Sequence, residues 1–268
     1  TAFDAAFDKS GILRAETAEQ LFDWARIFES RWSNNSANRA PYRNYSSKSG
    51  IAVLTNAGGP GVIAADSLDA NSLSLAQLTE STLGALSALL PPSASLHNPV
   101  DMLASASPET YAACLHLLLH DPAVDAALVI LPPPPMFKAE EVADALIEVI
   151  GQFEKPVVVS LMGSTLIEAA HSAFEQLDIP TYPFPERAAS ALSALFRRAE
   201  YAATDTQGHR EPMEFSRRRD SATDPEGLLT AYGISSAPLK LAHDNDEVVR
   251  VATELGFPVV MKIASPDI

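Results

Sequence analysis

Short, continuously apolar runs alternate with helical patterns between residues 51 and 201, and this alternation limits the fold more than any other feature of the sequence. The runs that read as buried strands are 51–55, 126–131, 156–161 and 180–182. An uninterrupted apolar strand is typical of a parallel sheet that helices cover on both faces. Strands that alternate with helices at this spacing form βαβ units. The sequence therefore predicts an α/β fold with a doubly wound, flavodoxin-like parallel sheet over residues 51–201.

Helical spacing of apolar residues predicts the connections between these strands. The expected helices cover 61–70, 79–90, 108–120, 139–150, 165–177 and 185–201. A further helix is expected within residues 2–32, after a capping box that begins at Thr17, and 11–14 is expected to form an edge strand. Near the end of the chain, 245–255 is predicted to be a helix closed by Gly256, and 257–263 a strand.

The first apolar run leads into a glycine-rich turn, Thr55-Asn56-Ala57-Gly58-Gly59-Pro60-Gly61. Glycine lets the backbone turn sharply and lets a ligand approach closely, and proline suits the first turn of a helix. The free N–H groups and the positive dipole end of that helix would face the turn, which favours a phosphate or a carboxylate there. The turn matches neither the dinucleotide fingerprint nor the P-loop, so a purely structural tight turn stays open as the alternative.

Composition excludes several classes of protein. With 47% hydrophobic residues among 268, the chain has enough apolar side chains for a packed core. A formal net charge of −15 argues against a nucleic-acid partner, because phosphate backbones attract the opposite charge. The absence of a membrane-length apolar run and of signal-peptide features predicts a soluble, cytoplasmic protein with no membrane partner. The single cysteine, Cys114, allows no internal disulfide and is predicted to be a buried structural thiol.

Ligands of doubly wound sheets bind outside the carboxyl ends of the strands. Four segments are expected at that edge, 56–61, 98–101, 132–135 and 162–164, so we expect them to face one crevice. Shifts in composition also divide the chain. The predicted parts are a helical segment at 1–32, a polar linker at 33–50, the sheet domain at 51–201, a polar hinge at 202–223 and the start of a further domain at 224–268.

Three groups of residues, taken in order, carry a family resemblance. They are the turn at 55–61, then Asn98-Pro99-Val100-Asp101, and a tail with Tyr232-Gly233-Ile234, Gly256-Phe257-Pro258-Val259-Val260-Met261-Lys262 and Ser265-Pro266-Asp267-Ile268. Together they resemble the NDP-forming acyl-CoA synthetases, relatives of succinyl-CoA synthetase. The resemblance implies an acid–thiol ligase that interconverts acyl-CoA, NDP and phosphate with a carboxylate, CoA and NTP. It implies an acyl phosphate and a phosphohistidine as intermediates.

The resemblance also implies what surrounds the chain. Residues 1–32 look like the end of the family's phosphohistidine-bearing domain, 51–201 like its flavodoxin-like ligase domain, and 224–268 like the start of its ATP-grasp domain. The CoA-binding domain, the phosphohistidine and most of the ATP-grasp domain would lie outside this fragment, which is expected to be inactive alone. ATP or ADP, CoA and Mg²⁺ are implied as cofactors of the full-length enzyme. The implied partners are its other domains, a small acyl substrate and further copies of the chain in a homo-oligomer.

Individual residues acquire expected roles from the same resemblance. The residues expected to bind a phosphoryl group or another anion are Asn56, Gly58, Gly59 and Gly61. Asn98 and Asp101 would support that site, with a helix or turn cap as the open alternative for Asp101. Lys262 resembles the ATP-grasp lysine that reaches the nucleotide phosphates.

The resemblance also bears on the substrate and on the metals. Residues 132–135, four prolines, lie where succinyl-CoA synthetase-like members hold the acyl carboxylate, and the absence of a Gly-Arg pair there argues against a dicarboxylate. No cluster of metal ligands is visible, so Mg²⁺ would belong to the nucleotide site. None of the six histidines lies in the glycine-rich setting of a phosphohistidine, and each is expected to be structural.

Two other classes of function stay open. The chain would then be a synthetase-like regulatory region of a protein lysine acetyltransferase, or a non-catalytic assembly domain whose glycine turn is only structural. An acetyltransferase-type domain after the ATP-grasp region would favour the first alternative. Unchanged activity of a Gly59→Val variant of the full-length enzyme would favour the second.

Overall fold

The computed structural model describes residues 2–32, 45–46, 48–205, 237–238 and 240–264. The chain divides into two compact units, Thr1–Gly208 and His209–Ile268. The first unit contains the sheet with its helices. Among the described residues, no helix has both the length and the apolar character that crossing a membrane requires.

After two helices, strands and helices alternate through the first unit, and the predicted ones are joined by two short strands that were not predicted, β2 and β3 below. The helices are α1 (Ala2–Ser10), α2 (Ala18–Glu29), α3 (Gly58–Ala70), α4 (Glu80–Leu89), α5 (Pro108–His120), α6 (Ala139–Ile150), α7 (Glu168–Glu175) and α8 (Pro185–Asp205). The strands are β1 (Gly50–Thr55), β2 (Ser74–Leu75), β3 (Val100–Asp101), β4 (Ala126–Leu131), β5 (Val157–Leu161) and β6 (Thr181–Tyr182). A short 3₁₀ helix at Thr165–Ile167 precedes α7.

The strands form one sheet in the order β2-β1-β4-β5-β6, and every strand pair is parallel among the described residues. β3 pairs with the end of β1, Leu54 with Val100 and Thr55 with Asp101. Because β4 occupies the other edge of β1, β2 and β3 share one edge of that strand. Without the two-residue β3 the strand order is that of flavodoxin, so the prediction of a doubly wound, flavodoxin-like sheet is confirmed.

Helices cover both faces of the sheet, and the central strands β1, β4 and β5 are mostly apolar for that reason. Ala52 and Leu54 face a core shared with α5, α6 and α7. Their neighbours Ile51 and Val53 face a second core shared with α2, α3 and α8. Successive side chains of a strand point to opposite faces, so Ile51 to Thr55 are each buried on one side or the other.

Residues 2–32 form two helices, and α2 packs on α8. The Trp24 indole N–H donates to Ser190 Oγ at 3.1 Å, and Asp23, which is 4% exposed, pairs with the Arg187 guanidinium through two hydrogen bonds of 2.6 Å. The helix predicted after Thr17 is confirmed, because Thr17 Oγ1 accepts a hydrogen bond from Gln20 N at 3.1 Å. The predicted edge strand at 11–14 is wrong. The chain turns there after α1, and its backbone pairs with no strand among the described residues.

The second unit contains the helix Asn245–Leu255, as predicted. Asp244 Oδ1 accepts a hydrogen bond from Glu247 N at 2.8 Å at its start, and Gly256 ends it with a φ of +82°. The strand predicted at 257–263 is wrong, because these residues lie without a neighbouring strand among the described residues of this unit. Val260 and Ile263 are each 84% exposed there. The predicted hinge at 202–223 begins as the end of α8 and otherwise, like most of the linker at 33–50, lies outside the described residues.

Candidate functional site

The candidate site is the carboxyl edge of the sheet, at the point where the chain changes faces. α3, which follows β1, packs Ala64 and Leu68 into one core, whereas α6, which follows β4, packs Val142 and Leu146 into the other. The neighbouring strands β1 and β4 therefore continue to opposite sides of the sheet. The crevice between their carboxyl ends is the topological switch point, where doubly wound sheets bind ligands.

α3 begins at this point without a side-chain cap. Its N-cap, Ala57, has extended backbone with φ −148° and ψ 122°, and among the described residues no side chain caps its first turn. Cap side chains accept from the N–H of the second or third helical residue, and the third here is Pro60, which has no N–H. Gly58 and Gly59 are both exposed. Their main-chain N–H groups thus lie at an accessible surface, at the positive end of the helix dipole.

Gly61 differs from these two glycines. Its N–H donates to Ala57 O at 3.4 Å, so this donor is used within the helix. A Cβ added at Gly61 would lie 3.2 Å from Thr55 Cγ2 and 3.5 Å from Pro99 Cβ, whereas a Cβ added at Gly59 would meet no atom within 4 Å. Gly61 therefore allows close packing below the turn, and Gly59 faces open space.

Asp101 lies beside the turn because β3 pairs with the end of β1. Its Oδ1 accepts a hydrogen bond from Leu103 N at 2.9 Å. Its Oδ2 points toward the start of α3, since a Cβ added at Gly58 would lie 3.3 Å from that oxygen. The site thus combines main-chain donors with one carboxylate acceptor.

Asn98 is bonded to the backbone of the strands. Its Oδ1 accepts from Val53 N at 2.8 Å, and its Nδ2 donates to Ile51 O at 2.7 Å and to Ala76 O at 3.1 Å. These contacts fill the gap between β2 and β3 along the shared edge of β1. Asn98 therefore acts as a substitute for a missing strand residue, and it fixes the position of β1 and of the segment that leads to Asp101.

Two buried polar atoms near the carboxyl ends have no hydrogen-bond partner among the described residues, Asn56 Oδ1 and Ser160 Oγ. Asn56 is 4% exposed and directly follows β1, and Ser160 is fully buried in β5. A buried polar atom without a partner costs free energy, so such atoms point to a ligand or an ordered water. Sequence reasoning singled out Asn56 but missed Ser160, although a serine within an apolar strand is a visible signal.

Tyr111, on α5, is a second residue that the sequence analysis missed. Its hydroxyl donates to Ile130 O at 3.4 Å, near the carboxyl end of β4. Burial, and then the negative charge of Asp101, raise the pKa of Tyr111 far above its ordinary value. The phenol therefore stays neutral beside the site and is not a general base.

The loops after β4 and β5 meet, as predicted. A Cβ added at Gly163 would lie 3.1 Å from Pro133 Cγ, and Gly163 has a φ of +127° that favours glycine. The rim of this edge carries exposed apolar side chains, among them Met136 at 72% and Leu166 at 76% exposure.

Lys262, Cys114 and the metal-ligating residue types were also considered in the sequence. Lys262 is exposed and belongs to the second unit. Cys114 is buried, and burial raises the pKa of its thiol to about 12, as expected for a structural cysteine. Among the described residues, no group of three or more histidine, cysteine or acidic side chains is arranged to hold a metal ion.

Two family models match the chain. The Ligase-CoA domain model matches residues 51–205, and the ATP-grasp domain model matches residues 214–268. The first covers the whole sheet with α3 to α8. The second covers the part of the chain that contains Lys262.

Two relatives illustrate the similarity. The acetate–CoA ligase (ADP-forming) I of Archaeoglobus fulgidus is 32% identical over 100% of this chain, which spans 38% of that protein. The alpha subunit of the acetate–CoA ligase (ADP-forming) II of Pyrococcus furiosus is 38% identical over 74% of this chain, which spans 41% of the subunit. The chain thus spans well under half of each of these relatives.

A solved structure agrees with this similarity. The dinucleotide-forming acetyl-coenzyme A synthetase 1 of Ca. Korarchaeum cryptofilum, in complex with phosphate and ADP, superposes with a TM-score of 0.66 at 31% identity. The match covers 78% of this chain and 43% of that chain. The resemblance seen in the sequence is confirmed.

Proposed function

The chain belongs to the Ligase-CoA domain family, and on this premise we propose that it is part of an NDP-forming acyl-CoA synthetase. The whole enzyme would interconvert acyl-CoA, NDP and phosphate with a carboxylate, CoA and NTP, through an acyl phosphate and a phosphohistidine. ATP or ADP, CoA and Mg²⁺ would be its cofactors. The ADP-forming acetate–CoA ligases among its relatives support this proposal.

Within that enzyme, the turn before α3 would hold the phosphoryl group. The observation that carries this proposal is the uncapped, exposed start of α3 at the switch point of the sheet. The N–H groups of Gly58 and Gly59 would donate to the phosphoryl oxygens, where negative charge develops during transfer. Donors fixed in place before the reaction stabilise that charge without reorganisation. Asn56 would supply a further polar contact from directly below the turn.

Asp101 would select the protonation state of the bound group. Its Oδ2 lies beside Gly58, and a carboxylate there repels a fully deprotonated phosphate. The same oxygen accepts a hydrogen bond from a protonated phosphate or from an imidazole N–H. The site therefore favours a group that carries both an anionic oxygen and a hydrogen to donate. Sulfate has no such hydrogen near neutral pH and is expected to bind more weakly than phosphate.

The other predicted residues would act at a distance from the transferred group. Asn98 would be a positioning residue, because its side chain is bonded to the backbone of β1. Lys262 would contact nucleotide phosphates within a complete ATP-grasp domain, and Mg²⁺ would bind with that nucleotide. CoA and the phosphohistidine would come from neighbouring domains of the same protein. Assembly into a homo-oligomer remains a prediction.

The rim of the site bears on the acyl group. Residues 132–136 and 162–166 contain no charged side chain, and Met136 and Leu166 are exposed. A second carboxylate on the substrate would find no cation in these two segments, since the first cation after β4 is Lys138, the N-cap of α6. We therefore expect a monocarboxylic acyl group.

Full-length enzyme with Gly59→Asp tests the proposal. The new carboxylate has space, since no atom lies within 4 Å of an added Cβ, and a negative charge in a first turn does not destabilise a helix. It would nevertheless occupy the position of the phosphoryl group. We expect ATP formation from acetyl-CoA, ADP and phosphate to fall about 100-fold.

Gly84→Asp is the matched control. Gly84 lies on α4, is exposed, and also has no atom within 4 Å of an added Cβ. This variant should keep the wild-type rate. Equal rates in the two variants would show that the phosphoryl group does not bind at the turn before α3.

A further inference from the structure

The last turn of α5 carries two histidines that no part of the proposed mechanism uses. His116 and His120 are one helical turn apart, and their ring centroids lie 4.3 Å apart with the planes tilted by 45°. Residues at this spacing share one face of a helix. His120 is exposed and His116 is half-buried, so both rings lie at the surface of the first unit.

Phe153 limits the freedom of both rings. It follows α6, packs against the core, and meets His116 at 5.6 Å and His120 at 4.8 Å in edge-to-face geometry. Two imidazoles that are already held together lose little conformational entropy when they share a ligand. The contacts with Phe153 therefore keep the two imidazoles close together at the surface.

The hydrogen bonding of His120 sets its tautomer. Its Nδ1 lies 3.1 Å from the carbonyl oxygen of His116. A carbonyl oxygen only accepts, so Nδ1 carries the hydrogen, and the neutral ring keeps its lone pair on Nε2. Histidines that bind metals commonly donate their other ring N–H to a carbonyl or carboxylate in this way.

The electrostatic surroundings are mixed but permit a cation. The C-terminal end of α5 carries the negative end of the helix dipole, and the whole chain has a net charge of −15. Against this, Lys155 Nζ donates to Asp121 O at 2.8 Å at the same helix end. The Asp121 carboxylate accepts hydrogen bonds from Thr79 and Ala123, so it is already used as an acceptor.

We propose that His116 and His120 form a binding site for a divalent transition metal of the Zn²⁺ or Ni²⁺ class. Two imidazole nitrogens supply the protein ligands, and water completes the coordination. Imidazole suits these metals, and a pair of histidines four residues apart on one helix is a known zinc-binding arrangement. The site is smaller than the three-ligand clusters that were excluded above, and it is independent of the phosphoryl site. Both histidines were expected to be structural because neither lies in a glycine-rich phosphohistidine setting, and the sequence shows neither the ring contact nor the tautomer.

Calorimetric titration of the chain with ZnCl₂ tests the proposal, at a pH above the ordinary histidine pKa of about 6.5. We expect His116→Ala and His120→Ala each to weaken Zn²⁺ binding by about 100-fold, because one ligand alone loses the effective concentration of the linked pair. His171→Ala is the matched control, since His171 lies 3.9 Å from Glu175 at the same spacing on α7. This variant should bind Zn²⁺ like the wild type. The proposal would be overturned if Zn²⁺ binding were unchanged in both α5 variants, or if the control lost it to the same extent.

A second measurement uses the unaltered chain, and so does not depend on the folding of a variant. Paramagnetic Ni²⁺ should first broaden the NMR signals of His116, His120 and Phe153. Broadening that begins elsewhere and spares these residues would also overturn the proposal.

Discussion

α3 and α5 both begin on the carboxyl side of the sheet, after β1 and β3, but their first turns are satisfied in different ways. In α5, Ser107 Oγ accepts a hydrogen bond from Thr110 N at 3.3 Å, and Glu109 adds a negative charge. In α3 the cap is Ala57, the third helical residue is Pro60, and the first turn contains no acidic side chain. The protein thus completes one helix start with its own side chains and leaves the other incomplete.

The difference shows how a fold separates stability from function. An N-cap side chain contributes about 1 kcal/mol to helix stability. α3 gives up that contribution at the switch point of the sheet, where ligands bind in folds of this kind. Below the turn, Asn98 and the packing of Gly61 hold the backbone in place, so the free donors have a fixed direction.

The largest expected effect on stability concerns the support of the α3 turn. Asn98→Ala would leave Val53 N and Ala76 O without these side-chain partners, at a cost of about 3 kcal/mol in the free energy of unfolding. Urea denaturation measures this loss. Asn71→Ala, which removes a hydrogen bond to Ser67 O at a helix end, is the control and should cost about 1 kcal/mol. Equal losses of stability in the two variants would show that Asn98 gives the α3 turn no special support.

The next largest effect is expected when α3 is given a side-chain cap and α5 loses its own. Ala57→Asp would give α3 a cap that accepts from Gly59 N, raising stability by about 1 kcal/mol. The same change should lower phosphate-dependent ATP formation by the full-length enzyme about 100-fold, because a donor is lost and a charge is added. Ser107→Ala should instead lower the free energy of unfolding by about 1 kcal/mol and leave the rate of ATP formation unchanged. If stability and rate moved together in both variants, the comparison between α3 and α5 would fail.

The smallest effect is a titration at the start of α5. The hydrogen bond from Ser107 lowers the pKa of Glu109 below 4.5. The stabilisation from this carboxylate is therefore present above pH 4.5 and is lost as the pH falls through the lower folded pKa. Ser107→Ala should raise the pKa of Glu109 toward 4.5, which an NMR titration of its side chain measures. If the pKa of Glu109 does not rise in this variant, the hydrogen bond from Ser107 is not what lowers it.

The fold class could be predicted from the sequence because the strands are apolar on both faces. Ile51 and Ala52 need cores on opposite sides, and only a sheet covered by helices on both faces provides them. The strands expected at 11–14 and 257–263 were wrong for a related reason. A strand requires a partner, and the local pattern does not show whether a partner is present.

The site could be predicted only in part. The exposed turn at Gly58 and Gly59 followed from glycine, proline and dipole arguments, but α3 begins before the predicted start and uses the Gly61 N–H internally. The contacts of Asn98 depend on two short strands sharing one edge of β1, which no local pattern reveals. Ser160 was missed because burial without a partner is a property of the packed structure.

An NMR titration of the chain with inorganic phosphate tests the central claim most directly, through the backbone amides of the two helix starts. The account predicts that the Gly58 and Gly59 amides shift with phosphate, that sulfate produces weaker binding, and that the Glu109 and Thr110 amides of α5 stay unchanged. Amides of Gly58 and Gly59 that do not respond to phosphate, or that respond no more than those of α5, would contradict it.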